Sequence, residues 1–218
     1  MRTLISCTWH SNKERKIEWS KRFYEERYLV NVRFQHIRKQ INDYINFIYI
    51  SDTNNTIYPL VEDKTIYVYG QQHEFKKHHD SFAGMAIAAQ YAYSNNMHYC
   101  YIEHDCLVYG LDKAIEFGKK HSICYGYGDV SYSPEWAEQS FVFVNNEFLP
   151  EFISRLNKAN MNKEMAQFPE RVWQTTFKDI FTAWSFGYGR KRPIDWNQEV
   201  FYAQQLTDEE IKQFLEKE

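Results

Sequence analysis

The chain has 218 residues, of which 44% are hydrophobic and 25% charged. That is enough for a real core, in one domain or one domain with a helical appendage. Its formal charge of −3 offers no global field to attract nucleic acid. Cys7, Cys100, Cys106 and Cys124 lie in apolar or aromatic runs with no Cys-x-x-Cys pair. This argues against a disulfide framework or zinc site and for buried thiols in a reducing, cytoplasmic setting. No signal-peptide pattern heads the chain and no run reaches transmembrane length, which leaves peripheral membrane attachment open.

In chain order, Thr3 to Thr8 reads as a short buried strand. A charged, helix-like segment follows from about Lys13 to Tyr28. Val30 to Phe34 is either a strand or the end of that helix, and Ile37 to Tyr44 a short helix or connection. Asn46 to Asp52 is a strand closed by Asp52, and Thr65 to Tyr69 another, stopped by Gly70. Asp80 to Ser94 is the best helix. Asp80 or Ser81 can cap it, Ala83, Met85, Ala86, Ala88, Ala89 and Ala92 favour it, and its small residues suit close packing on a sheet. Then come a strand at His98–Ile102, a helix at Leu111–Lys119, strands at Ser122–Tyr125 and Ser140–Val144, and a helix at Phe148–Ala159. Glu170 to Trp184 reads as helix, Gly187 to Asp195 as loop. Thr207 and Glu210 form a capping box that opens a terminal helix. Strands alternating with helices predict an α/β class with a mostly parallel central sheet flanked by helices. Ligands of such sheets bind beyond the carboxyl ends of the strands.

Glu103-His104-Asp105 stands at such an end, after the apolar run Tyr99-Cys100-Tyr101-Ile102. In a strand, i and i+2 side chains share a face, so Glu103 and Asp105 point together and His104 points away. Two like charges on one face need a positive partner. Mg²⁺ or Mn²⁺ suits them, because these ions take oxygen ligands from one or two carboxylates and a substrate's phosphates. Acids also end strands merely because turns are exposed, but here Cys106-Leu107-Val108 follows at once, wedging the carboxylates between apolar segments.

The small-residue helix Met85 to Ala92, followed by Tyr99 to Ile102 and Glu103-His104-Asp105, resembles the DxD region of family 2-like glycosyltransferases with the GT-A fold. Upstream, Leu4 to Thr8 stands where that family has its first nucleotide-contacting strand. Ile48 to Asp52 stands where it has the strand whose terminal Asp contacts base or ribose. The resemblance covers roughly the first 145 residues and implies a single Rossmann-type domain. Its nucleotide-binding half would span residues 1–110, and its acceptor half, with a C-terminal loop and helix, residues 111–218. It further implies a metal-dependent enzyme that moves a sugar from a nucleoside-diphosphate sugar to a glycan or other hydroxyl acceptor. Asp105 would be the direct metal ligand. Glu103 would bind the metal through water or orient the ribose, and Thr8 and Asp52 would contact the nucleotide. Glu103 departs from the usual Asp, though it still offers oxygen ligands.

Phe186 to Pro193 carries two glycines and then Arg190-Lys191-Arg192. A solvated basic turn is one reading. The other is a loop that closes on the nucleotide, with Arg190 and Arg192 binding the diphosphate in bidentate fashion. An inverting transferase also needs a base for the acceptor hydroxyl. Glu170, just after Pro169, is a candidate that an ordinary helix start would equally explain, and Glu138 is its rival. Trp136, Trp173, Trp184 and Trp196 fall in the C-terminal half, where rings stack on sugars or fill a core. The paired glutamines Gln204-Gln205 between apolar neighbours have no evident role in the sequence. Two other classes share these features: a Mg²⁺-dependent nucleotidyltransferase, disfavoured by the absence of a Gly-rich phosphate loop, and a non-catalytic carbohydrate- or nucleotide-binding protein of the same fold.

Overall fold

A computed structural model describes residues 1–9, 36–50, 64–70, 79–127, 137–161, 169–185, 189–190 and 192–217. The elements in order are β1 (Thr3–Trp9), helix α1 (described over 36–40), β2 (Tyr44–Ile50), β3 (Thr65–Tyr69), α2 (His79–Ser94), β4 (His98–Ile102), β5 (Cys106–Tyr109), α3 (Leu111–Gly118), β6 (Ile123–Tyr127), β7 (Ala137–Val144), α4 (Leu149–Asn160), α5 (Pro169–Phe177), β8 (Phe181–Ala183), β9 (Phe201–Gln204) and α6 (Asp208–Lys217). The segments read above as helix over 13–28 and strand over 30–34 lie outside the described residues.

Seven strands form one sheet in the order β3-β2-β1-β4-β7-β6-β8. Strands β3, β2, β1 and β4 are parallel neighbours, β7 runs antiparallel between β4 and β6, and β8 is parallel to β6. The expected mostly parallel α/β sheet is therefore observed, with β7 as its reversed member. Both faces are covered, so the central strands read as continuous apolar runs rather than alternating ones. In β4, Tyr99 and Tyr101 join one core with α2, α4 and α5, while Cys100 and Ile102 join a second with α3. A third core seats α6 against the separate antiparallel ladder β5-β9.

Helix α2 lies close because its face is small. Ala88, Ala89 and Ala92 are fully buried, and Gly84 leaves so little room that an added Cβ would stand 2.7 Å from Thr8 Oγ1. The helix already includes His79 and Asp80, so it begins ahead of the cap expected at Asp80 or Ser81. The helix expected over Glu170–Trp184 stops at Phe177, and Phe181–Ala183 pairs with β6 as an edge strand. Its residues Phe181 and Thr182 are aromatic and β-branched, types that fit a pleated surface better than a helix. The capping box at α6 is present: Glu210 N donates to Thr207 Oγ1 at 3.2 Å and Thr207 N to Glu210 Oε2 at 2.8 Å. Trp173 and Trp184 are core residues, Trp184 stacking on Phe141 at 4.7 Å, and Trp136 lies outside the described residues. Among the described residues no helix is long and apolar enough to cross a membrane.

Candidate active site at the carboxyl end of the central strand

Strand β4 ends at Ile102, which pairs with Phe141 of β7. Glu103 N still donates to Ser140 O at 2.8 Å, and Cys106 N then donates back to Glu103 O at 3.0 Å, closing a tight turn over Glu103-His104-Asp105. The chain leaves the large sheet there and enters β5, which pairs with β9. Strand alternation is thus not what aligns the two acids, because neither lies in a strand. They converge through the turn, and His104 is buried beneath it.

The partner that joins them comes from β9. Gln204, 2% exposed, donates its Nε2 to Glu103 Oε2 at 2.5 Å and to Asp105 Oδ1 at 3.2 Å. Its Oε1 accepts from Arg190 Nε at 3.2 Å. The orientation of this amide is fixed by Arg190, which can only donate and so faces the amide oxygen, leaving the nitrogen to the carboxylates. The backbone locks the same arrangement: Gln204 N donates to Gly189 O at 2.5 Å, and Gln205 N, from a left-handed residue at φ 56°, donates to Asp105 O at 3.3 Å.

Two more acids face this turn. Glu138 in β7 is 4% exposed. Its Oε1 accepts from Ser140 N at 3.1 Å and its Oε2 lies 3.9 Å from Arg190 Nε. Glu170 sits half-buried in the first turn of α5, as read from the sequence, and its negative field reaches both Glu103 and Glu138. The electrostatic result is an excess of negative charge. Burial, reinforced by Asp105 and Glu138, pushes the Glu103 carboxyl well above the usual range, with Arg190 only partly offsetting it. Burial likewise raises Glu138, against the pull of Arg190.

The structure therefore gathers Glu103, Asp105, Glu138 and Arg190, with Glu170 within electrostatic reach. Arg192 has partners of its own on β9 and α6. Arg192 Nε pairs with Glu210 Oε1 at 2.6 Å and its Nη2 donates to Gln204 O at 3.0 Å, so these contacts brace the back of β9 and the start of α6. Thr8 lies buried at the end of β1, its hydroxyl donating to Ser81 O at 3.4 Å. Asp52 lies outside the described residues. Sequence reasoning missed the role of Gln204; its only signal was the odd pair of amides between apolar residues. Two surface clefts, of about 400 and 260 Å³, are lined by residues such as Lys119, His121, Arg2 and Lys64, at the opposite end of the sheet from the acids.

A single amide group reaches an oxygen of both Glu103 and Asp105, so one small cation could do the same. Among the described residues no three His, Cys, Asp or Glu side chains are grouped to hold a metal unaided. Two carboxylates with the remaining positions left to water and phosphate is a donor set that Mg²⁺ and Mn²⁺ accept.

No protein-family model matches the sequence, and no curated protein matches it. Solved structures do. A glycosyltransferase involved in the glycosylation of the major capsid of PBCV-1 superposes with a TM-score of 0.51 at 15% identity, over 84% of this chain and 81% of the other. The glycosyltransferase GlyE of Streptococcus pneumoniae TIGR4 superposes with a TM-score of 0.51 at 11% identity, over 84% of this chain and 45% of GlyE. The chain shares the GT-A-like fold of these glycosyltransferases.

Proposed function

We propose that this protein is a glycosyltransferase that moves a sugar from a nucleoside-diphosphate sugar to a hydroxyl acceptor such as a glycan, with Mn²⁺ or Mg²⁺ held at Glu103 and Asp105. The observation that carries the reading is the meeting of Glu103, Asp105, Glu138 and Arg190 around the Gln204 amide, at the carboxyl end of the central strand. The shared fold supports it, since its structural neighbours are glycosyltransferases. A bound divalent ion would supply Lewis-acid stabilisation of the departing diphosphate.

The protein's own residues would do the rest. Arg190, already beside the acids, is the cation best placed for a phosphate oxygen. Arg192, engaged with Glu210, would act by keeping β9 in place rather than by touching the donor. Glu138 suits a base for the acceptor hydroxyl better than Glu170. It is deeply buried, and its raised pKa brings it nearer the range in which a carboxylate exchanges protons at neutral pH. Four buried cysteines fit the cytoplasmic assignment.

Isothermal calorimetry with a panel of nucleoside diphosphates, with and without Mn²⁺, tests the reading. Mn²⁺-dependent binding of one of them, lost in Asp105→Asn, is expected. Failure of every nucleoside diphosphate to bind in the presence of Mn²⁺ would overturn it, and release of pyrophosphate from a nucleoside triphosphate would favour a nucleotidyltransferase instead.

A further inference from the structure

Gln204 occupies an unusual electrostatic position. Its two amide hydrogens serve Glu103 and Asp105, where a cation would bind, and its single carbonyl oxygen holds Arg190. The side chain is buried on β9, with its backbone fixed to Gly189 on one side and, through Gln205, to Asp105 on the other, so the amide can rotate but cannot readily withdraw. A divalent cation between the two carboxylates repels the amide N–H groups and attracts the oxygen. An amide whose oxygen faces the cation presents N–H to Arg190, and a guanidinium has no acceptor to receive it. The two arrangements exclude each other.

We propose that Gln204 is a positioning residue that couples cation binding to the orientation of Arg190: when Mg²⁺ or Mn²⁺ takes Glu103 and Asp105, the amide turns over and Arg190, still beside Glu138, exchanges the Gln204 oxygen for the donor's diphosphate. In the resting state the amide stands in for the cation, and Arg190 is kept from collapsing onto the acids it lies among. Cation and diphosphate then bind in a preferred order, the first preparing the charge that receives the second. This inference rests on the cation reading of Glu103 and Asp105 proposed above.

Nitrogen-15 NMR of the full chain reads it directly, with diamagnetic Mg²⁺ alone as the probe. Addition of Mg²⁺ is expected to shift both the Gln204 side-chain amide and the Arg190 Nε–H resonances, and Asp105→Asn to abolish both shifts. In Gln204→Met, Mn²⁺ titrated by electron paramagnetic resonance should still bind, while the Arg190 resonance no longer responds to Mg²⁺. Gln204→Glu, which keeps the shape should the methionine variant fail to fold, is expected to bind the cation about tenfold more tightly through its added carboxylate. It should also hold Arg190 fixed. Metal binding with an unmoved Arg190 signal in the native chain, or an equal response in Gln204→Met, would overturn the coupling alone. Absence of any Mg²⁺ or Mn²⁺ binding would overturn the cation reading together with it.

Discussion

Arg190 Nε lies 3.9 Å from Glu138 Oε2, and its positive charge pulls against the burial of a carboxylate that is only 4% exposed. The pair is not balanced. Burial raises the Glu138 carboxyl despite Arg190, so the ionised form is held at a cost in the folded chain.

Glu138→Gln should therefore stabilise the protein at neutral pH while impairing turnover. The folded-state pKa of Glu138 lies above its ordinary value, so the stability tied to its protonated form is complete below about pH 4.5 and is lost as pH rises through the folded value. Glutamine does not titrate. The variant should exceed the parent by about 1 kcal/mol in urea unfolding near neutral pH, with the gap closing toward about pH 4. Equal stability at both pH values would mean that Arg190 compensates the charge fully. If Glu138 accepts the acceptor's proton, sugar transfer by the same variant should fall by at least about a hundredfold.

Asp105→Asn should show the same opposition between stability and function for a different reason. Its charge is the second cause, after burial, of the raised Glu103 carboxyl. Neutralising Asp105 relieves like-charge repulsion inside the turn and leaves an amide that can still meet Gln204. The metal-free variant is expected to melt several degrees higher than the parent, a gain of about 1 kcal/mol. Sugar-nucleotide turnover should drop by about a hundredfold or more. A lower melting temperature would show that the Gln204 bond to Asp105 outweighs the repulsion.

Much of this was legible in the sequence. The apolar runs of β1, β2 and β4 and the small-residue face of α2 identified the parallel half of the sheet. The acids after Ile102 stand at the carboxyl end of that half, where the site is proposed. The ladder β5-β9 was not legible, because Cys106–Tyr109 and Phe201–Gln204 are four-residue strands that pair across a long stretch of intervening chain, Cys106 with Gln204 and Tyr109 with Phe201. Local periodicity carries no such information. For the same reason Gln204 could not be connected to Glu103 and Asp105. The expectation that strand alternation aligns the acids reached the correct grouping through the wrong geometry, since a turn and a distant amide bring them together. Arg190 and Arg192 were indistinguishable as a basic run. The structure sets Arg192 against Glu210 of α6 and Arg190 beside Glu138 and the Gln204 amide oxygen.

Gly84→Ala tests how closely α2 rides on the sheet. In an open helix interior this change would add up to about 1 kcal/mol of stability. Here the new Cβ would stand 2.7 Å from Thr8 Oγ1 and 2.9 Å from the Tyr49 ring, both on buried strands. Overpacking should win, for a net loss of about 1–3 kcal/mol by urea unfolding. Removing the hydroxyl and methyl in Thr8→Ala/Gly84→Ala should recover part of that loss, as a coupling of about 1 kcal/mol in a double-mutant cycle. A stabilised Gly84→Ala would mean that the helix can lift away from β1 at no cost.

His98 should make the fold sensitive to mild acid at the end of the sheet away from the acids. Its Nδ1 accepts the backbone N–H of Asn146 at 3.2 Å, a bond that protonation of that nitrogen would break. Burial lowers the pKa of the ring below its ordinary 6.5. Lys119 and the chain's amino terminus push the same way, against smaller opposing effects of Glu116 and Glu147. With the folded value depressed, the unfolded chain binds the proton first as pH falls. The stability from neutral His98 is complete above about pH 6.5 and declines as pH drops through the folded value. His98→Asn offers an amide oxygen near the same place and does not titrate. Thermal melts across about pH 5 to 7.5 should show a steeper loss in the parent than in His98→Asn, the curves running parallel above about pH 6.5. Parallel curves over the whole range would assign the acid sensitivity to other groups and leave His98 a purely structural acceptor.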